Sequence, residues 1–114
     1  MLPHQFFKLL SDETRVRCLL MILREGRLCV RELTEALNES QPKISRHLSQ
    51  LRSSGVLVDT REGLWVFYQR GTEMPGWLNK ILDDLVASMC LQSTYEDDVI
   101  RLKQLRHHNA CCSE

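Results

Sequence analysis

The chain has 114 residues, with 15 Lys and Arg against 15 Asp and Glu, so its formal net charge is zero. This length predicts a single domain with a small core, for which pairing with a second copy would bury further apolar surface. No run approaches the roughly 18 apolar residues of a membrane span, and residues 1–5 lack the pattern of a secretory signal. We therefore expect a cytoplasmic protein with no membrane partner, whose five cysteines stay reduced.

Four stretches in the first half of the chain have the spacing of amphipathic helices. The predicted helices are Pro3–Leu10, a second helix that ends at Gly26, Val30–Leu37, and a fourth that ends near Ser54. Ser11 with Thr14 is predicted to cap the second helix, and Ser40 the fourth. The predicted inward residues are Phe6, Phe7, Leu10, Val16, Leu19, Leu20, Leu23, Val30, Leu33, Leu37, Ile44, Leu48 and Leu51.

The second half predicts a hairpin followed by two helices. Two β-rich runs, Val56–Thr60 and Leu64–Tyr68, are joined by a three-residue loop that contains Gly63. A long helix begins at Pro75, and a capping box that starts at Ser93 predicts a break before a last helix that ends near Arg106. The inward residues predicted for the long helix are Leu78, Ile81, Leu82, Leu85, Val86 and Met89. The order of elements is that of a winged helix-turn-helix, mainly α with a small β-hairpin, over residues 1–106, with a flexible cysteine-containing tail at 107–114.

The charges are distributed unevenly along this framework. Between residues 41 and 70 the bases are Lys43, Arg46, Arg52, Arg61 and Arg70, against Asp59 and Glu62. Residues 72–98 carry six acids and one lysine. A local basic region is the footprint expected of a nucleic-acid-binding surface, whatever the net charge.

The outward face of the fourth helix is suited to reading DNA. At 100° per residue, Leu48 and Leu51 lie within about 40° of Ile44, so the opposite face is polar and carries no acid. In the major groove, Arg can pair with guanine and Gln with adenine. His47 lies at the edge of the apolar stripe, where it could pack or contact a phosphate. The predicted DNA-contacting residues are Gln41, Lys43, Ser45, Arg46, His47, Ser49, Gln50 and, at the hairpin tip, Arg61.

The segment Ser40–Leu48, followed by Leu51-Arg52 and Gly55-Val56-Leu57, resembles the recognition helix of the ArsR/SmtB family of metal-sensing repressors. The resemblance extends over about residues 6–77. It implies a homodimer built on the first and fifth helices, which binds two-fold operator DNA and is released by metal ions. Zinc-type members carry Asp, His and Glu ligands on the fifth helix, whereas this helix has Asp83 and Asp84 but no histidine.

The cysteines predict a different ion. Adjacent Cys111 and Cys112 can hold one soft ion, and three sulfurs in a pyramid suit trivalent arsenic or antimony. Arsenic-responsive relatives often carry Leu-Cys-Val-Cys at the third helix, but Arg31 replaces the second cysteine here. We therefore predict a site made of Cys111, Cys112 and Cys90, with Cys29 as the runner-up third ligand. Cys18 is predicted to be a buried apolar residue.

These observations predict a DNA-binding repressor that As(III) or Sb(III) releases from its operator, with no organic cofactor and no enzymatic activity. Arsenite, antimonite and a methylated arsenical all remain open as the inducer, as does a site within or between subunits. The alternatives are a repressor that senses thiol oxidation and a winged-helix module that binds proteins.

Overall fold

A computed structural model describes residues 1–108 of the chain, except for the side chains of Cys90 and His108. The elements in chain order are α1 (Pro3–Leu9), α2 (Glu13–Glu25), β1 (Arg27–Cys29), α3 (Val30–Leu37), α4 (Gln41–Ser53), β2 (Leu57–Glu62), β3 (Trp65–Arg70), α5 (Gly76–Ala87), α6 (Met89–Thr94) and α7 (Glu96–His108). Within this part of the chain, no helix combines the length and the apolar composition needed to cross a bilayer.

The predicted hairpin belongs to a three-stranded antiparallel sheet in the order β1-β3-β2. Strand β1 is three residues long and pairs Cys29 with Phe67, and its shortness explains why periodicity did not reveal it. The hairpin loop is also tighter than predicted, because Glu62 pairs with Trp65 and leaves only Gly63 and Leu64 between them. Gly63 has φ +63°, as the first loop position of a type II′ turn requires.

The helix pair α3–α4 is joined by the predicted tight turn. Asn38 ends α3 in the left-handed conformation, with φ 55° and ψ 47°. Ser40 caps α4 as predicted, since its hydroxyl accepts from the backbone N–H of Lys43 at 3.4 Å. The predicted cap of α2 was wrong. Asp12, which directly precedes the first helical residue, accepts from the N–H of Arg15 at 3.1 Å.

The core lies between α2, the α3–α4 pair and α5. Its largest buried side chains are Phe6, Leu19, Ile22, Leu28, Leu33, Leu37, Ile44, Leu48, Leu51, Leu57, Leu78 and Leu82. Two residues predicted to face inward are exposed, Phe7 at 58% and Met89 at 74%. Phe7 is turned out because Phe6 takes the inward position and meets the edge of Trp77, with ring centroids 6.0 Å apart.

The C-terminal helices turn back on the domain at a different place from the one predicted. The long helix breaks at Ser88, whose ψ of 118° is extended, and a second interruption falls at Tyr95. Met89 consequently lies in the short helix α6, which accounts for its exposure. Helix α7 then packs along α3, buries Leu102, and continues to His108, two residues beyond the predicted end.

Candidate functional site

The polar face of α4 is turned to solvent as the sequence predicts. Gln41, Arg46, Ser49 and Gln50 are exposed, and Ser45 is half-buried. The side-chain amide of Gln41 donates to the hydroxyl of Ser45 at 2.8 Å. This face therefore offers one guanidinium and several hydrogen-bonding groups to a groove, with no carboxylate among them.

Lys43 is on the same helix but is already paired. Its ammonium lies 3.0 Å from Oε1 of Glu39, in the turn before α4, and this hydrogen bond lowers the pKa of the Glu39 carboxyl. A phosphate contact by Lys43 would have to replace that pair. The contribution of Lys43 to DNA affinity is therefore reduced by the cost of releasing Glu39.

His47 was predicted to be on the DNA-binding surface, but the structure buries it. Its side chain is 3% exposed, packed between α4 and the start of α2, so it cannot reach a phosphate in this arrangement. Nδ1 accepts from Nε of Arg15 at 3.4 Å, and Nε2 lies 3.6 Å from Oδ1 of Asp12, beyond hydrogen-bonding distance. Burial lowers the pKa of His47 and favours the neutral imidazole. The apolar stripe of α4 thus includes the histidine that the spacing placed at its edge.

The wing presents Arg61 together with an apolar tip. Arg61 is exposed in β2, opposite Val66. Leu64 is 93% exposed at the turn, a feature to which sequence reasoning assigned no role. Arg27 of β1 pairs with Glu62, next to the hairpin turn, and lies 4.0 Å from the ring centroid of Phe67, which ties β1 to the wing.

The predicted cysteine ligands are only partly visible. Cys111 and Cys112 lie outside the described residues, and Cys90 is in α6 with its side chain outside the description. Cys18 is free and fully buried, and burial raises the pKa of its thiol to about 12, so it stays protonated. Among the side chains that the structure describes, which exclude those of Cys90 and His108, no group of three or more His, Cys, Asp or Glu could hold a metal ion.

Cys29 is the buried N-cap residue of α3 and is disulfide-bonded, so the prediction that all five cysteines are reduced was wrong for this residue. Its backbone N–H donates to Oε1 of Glu32 at 3.1 Å. The other oxygen of Glu32 accepts from Nε of Arg106 at 3.2 Å, and Arg106 also pairs with Glu25 at 2.8 Å. The end of α7 is therefore held beside Cys29 by a carboxylate that contacts both. Sequence reasoning could not find this contact because residues 32 and 106 are 74 positions apart.

A second link between α7 and the rest of the domain is buried. Asp98, 3% exposed, accepts from Nε and Nη2 of Arg17 at 2.9 and 2.8 Å, and from Arg101 at 2.8 Å. The hydrogen bonds that Arg17 donates to Asp98 raise the pKa of the Arg17 guanidinium. Arg17 also donates to the carbonyl of Leu37 at 2.8 Å and lies 3.5 Å from Glu39. The sequence marked Asp98 only as part of an acidic flank.

Comparison with known proteins agrees with this architecture. Residues 12–58 match the model of a family described as bacterial regulatory protein, arsR family. The chain is 46% identical to the arsenic resistance transcriptional regulator ArsR2 of Pseudomonas putida, over 96% of this chain and 97% of that protein. It is 50% identical to the arsenical resistance operon repressor of Escherichia coli, over 74% and 72%. Among solved structures, the antimony-specific transcriptional repressor AntR superposes with a TM-score of 0.59 at 28% identity, over 79% and 76%.

Proposed function

Because the chain belongs to the arsR family of bacterial regulatory proteins, we propose that this DNA-binding repressor leaves its operator when trivalent arsenic or antimony binds to cysteine thiolates. The relatives named for arsenic and antimony support the choice of effector. The observation that carries the site is the contact of Glu32 with both Cys29 and the end of α7.

The DNA contacts follow from the exposed face of α4. We propose that Arg46 and Gln50 read base edges, and that Gln41, Ser45 and Ser49 make further base or phosphate contacts. Lys43 and Arg61 would contact the backbone, Lys43 after it releases Glu39. The positive charge of these residues gives a salt-sensitive attachment to any duplex, on which base contacts add specificity.

We propose that the ion binds to Cys29, Cys111 and Cys112. Cys29 thus replaces Cys90, which the sequence analysis preferred, as the third ligand. Arg106 is five residues before Cys111, and five residues of extended chain span at most about 18 Å. Because Arg106 and Cys29 share the carboxylate of Glu32, the last turn of α7 lies beside Cys29, which supports Cys29 as a ligand together with the cysteines that follow α7 in the sequence.

The position of Cys29 also suits a thiolate. An N-cap residue lies at the positive end of a helix dipole, which favours a negatively charged sulfur. Thiolates are the ligands that soft ions select, and three of them leave the fourth direction of As(III) or Sb(III) to its lone pair. Because Cys29 is disulfide-bonded in this structure, it can bind the ion only after that disulfide is reduced, which a reducing cytoplasm would favour.

We further propose that the repressor is a homodimer. Leu2 and Phe7, at the start of the chain, are 59% and 58% exposed, and Trp77 on α5 is 36% exposed. This apolar surface supports pairing through the first and fifth helices, as the family resemblance implies. Two recognition helices would then enter successive major grooves of a two-fold operator.

A titration of operator binding tests the site. Fluorescence anisotropy of a labelled operator is followed with arsenite and antimonite, in a phosphine reductant that does not chelate the ion, for wild type and for Cys29→Ser, Cys111→Ser, Cys112→Ser and Cys90→Ser. The first three variants should bind DNA but lose release, and Cys90→Ser should respond like wild type. Cys18→Ser is the matched control because its thiol stays protonated. Loss of release in Cys90→Ser, with retention in Cys29→Ser, would restore Cys90 as the third ligand.

The disulfide of Cys29 gives a thiol redox sensor specific support as the second candidate. Such a sensor would release DNA on treatment with peroxide and ignore arsenite under reducing conditions. The metalloid repressor should instead release DNA on treatment with arsenite under reducing conditions and respond less to peroxide. A protein-interaction module would show no measurable operator affinity in wild type or Arg46→Ala.

A further inference from the structure

We propose that the ion pairs Asp98–Arg17–Glu39–Lys43 carry the effector signal from α7 to the DNA-reading helix, with Asp98 and Glu39 as positioning residues. This inference rests on the proposed function, since it concerns how occupation of the cysteine site changes DNA affinity. The four side chains come from α7, α2, the α3–α4 turn and α4. They therefore link the helix that precedes the cysteine tail to the helix that would contact DNA.

The first step joins α7 to α2. Asp98 is a buried carboxylate that accepts two hydrogen bonds from Arg17 and one from Arg101. A buried charge that loses its partner is strongly destabilised, so Arg17 follows Asp98 when α7 moves. Arg101 adds a parallel tie, because its Nε donates to the carbonyl of Ala36 at 2.7 Å.

The second step joins α2 to the turn before the reading helix. Arg17 donates to the carbonyl of Leu37, the last residue of α3, at 2.8 Å. Another nitrogen of Arg17 lies 3.5 Å from Oε2 of Glu39. The guanidinium therefore holds both the end of α3 and the side chain that follows it.

The third step reaches the DNA surface. Oε1 of Glu39 pairs with Lys43 at 3.0 Å, while Oε2 faces Arg17. Arg17 and Lys43 thus share one carboxylate, and a shift of Arg17 changes how firmly Lys43 is held away from a phosphate. The same shift acts on the carbonyl of Leu37 and hence on the angle between α3 and α4.

The connection of α7 to α5 would allow α7 to shift as a unit. It is joined to α5 through two interruptions, at Ser88 and Tyr95, with only the six residues of α6 between them. An ion bound by Cys29 and the tail cysteines would act on the end of α7, which Glu32 holds beside Cys29, and through this helix on Asp98. The ion site and the DNA-binding surface are then coupled through α7. Operator DNA should therefore weaken ion binding by the same factor by which the ion weakens DNA binding.

The test compares operator affinity with and without saturating arsenite for wild type, Asp98→Asn, Glu39→Gln and the double variant. Asp97→Asn is the matched control, because it removes the same charge from the exposed neighbouring position of α7. Arsenite binding is measured separately by equilibrium dialysis. We expect each single variant to reduce the arsenite-induced change in affinity by at least about fivefold while it still binds arsenite. The double variant should lose no more than the larger single effect, because both residues lie on one route.

Equal responses of wild type, Asp98→Asn and Glu39→Gln would overturn the inference, as would an equal loss in Asp97→Asn. If circular dichroism shows that Asp98→Asn does not fold, Glu39→Gln decides the question, because Glu39 lies at the partly exposed turn. A wild type that binds DNA but does not respond to arsenite would instead refute the proposed function, and the inference with it.

Discussion

Replacing Arg106 by Ala should weaken arsenite binding without removing any sulfur. Arg106 holds the end of α7 through Glu32, whose side chain is 9% exposed, and Glu25, which is 20% exposed. Partly exposed ion pairs contribute about 0.2–1 kcal/mol each, and the burial of Glu32 places its pair in the upper part of that range. The end of α7 should therefore lose about 1–1.5 kcal/mol of docking free energy, which corresponds to an arsenite affinity weaker by about 5–12-fold if docking brings the sulfurs together.

Equilibrium dialysis with metal analysis measures this affinity, and Lys103→Ala is the matched control because it removes an exposed cation from the same helix. Operator affinity of the ion-free protein should change little in either variant. In a Cys29→Ser background, Arg106→Ala should have no further effect, since the ligand that it positions is gone. An arsenite affinity of Arg106→Ala within twofold of wild type would refute the argument that this docking brings Cys29 and the tail together.

Three further outcomes are expected. Arg46→Ala should lose about 1–3 kcal/mol of specific operator affinity in anisotropy titrations, and Arg52→Ala less, because Arg52 is paired with Asp59 at 3.3 Å; equal losses would contradict the assigned reading face. The thiol of Cys18, with its pKa raised to about 12, should resist alkylation by iodoacetamide at pH 8 in the native protein and react on unfolding, as mass spectrometry can show. The lowered pKa of His47 means that its contribution to stability is fully present above the ordinary imidazole pKa near 6.5 and is lost as the pH falls through the lowered value. Urea unfolding between pH 7.5 and 5 should therefore show a steeper loss for wild type than for His47→Gln, and parallel curves would contradict this assignment.

The local features of the fold were predictable because they depend on neighbours in sequence. The cap at Ser40 and the stripe of Ile44, Leu48 and Leu51 are set within one or two helical turns, and the structure confirms them. The exposed positions on the polar face of α4 follow from the same periodicity. Arg46 could thus be placed on the surface of α4 from spacing alone.

The errors arose where distant segments decide the outcome. Strand β1 exists because Arg27–Cys29 pairs with β3, about 40 residues later, and three residues carry no periodic signal. His47 is buried because the start of α2 covers it. The break at Ser88 lets α7 return to α3, so the contact between Arg106 and Glu32 has no counterpart in any local pattern.

The zero net charge is compatible with DNA binding because most of the acidic side chains discussed above neutralise arginines within the domain. Asp98 pairs with two arginines and Glu32 with Arg106, so these charges cancel away from the reading face. Within residues 1–108, neither Arg46 nor Arg61 forms an ion pair. Both guanidinium groups are therefore free to attract a phosphate backbone, and this attraction acts over about a Debye length. The paired charges connect helices to one another, whereas the unpaired Arg46 and Arg61 are available to DNA. The net charge of the whole chain does not distinguish these two groups.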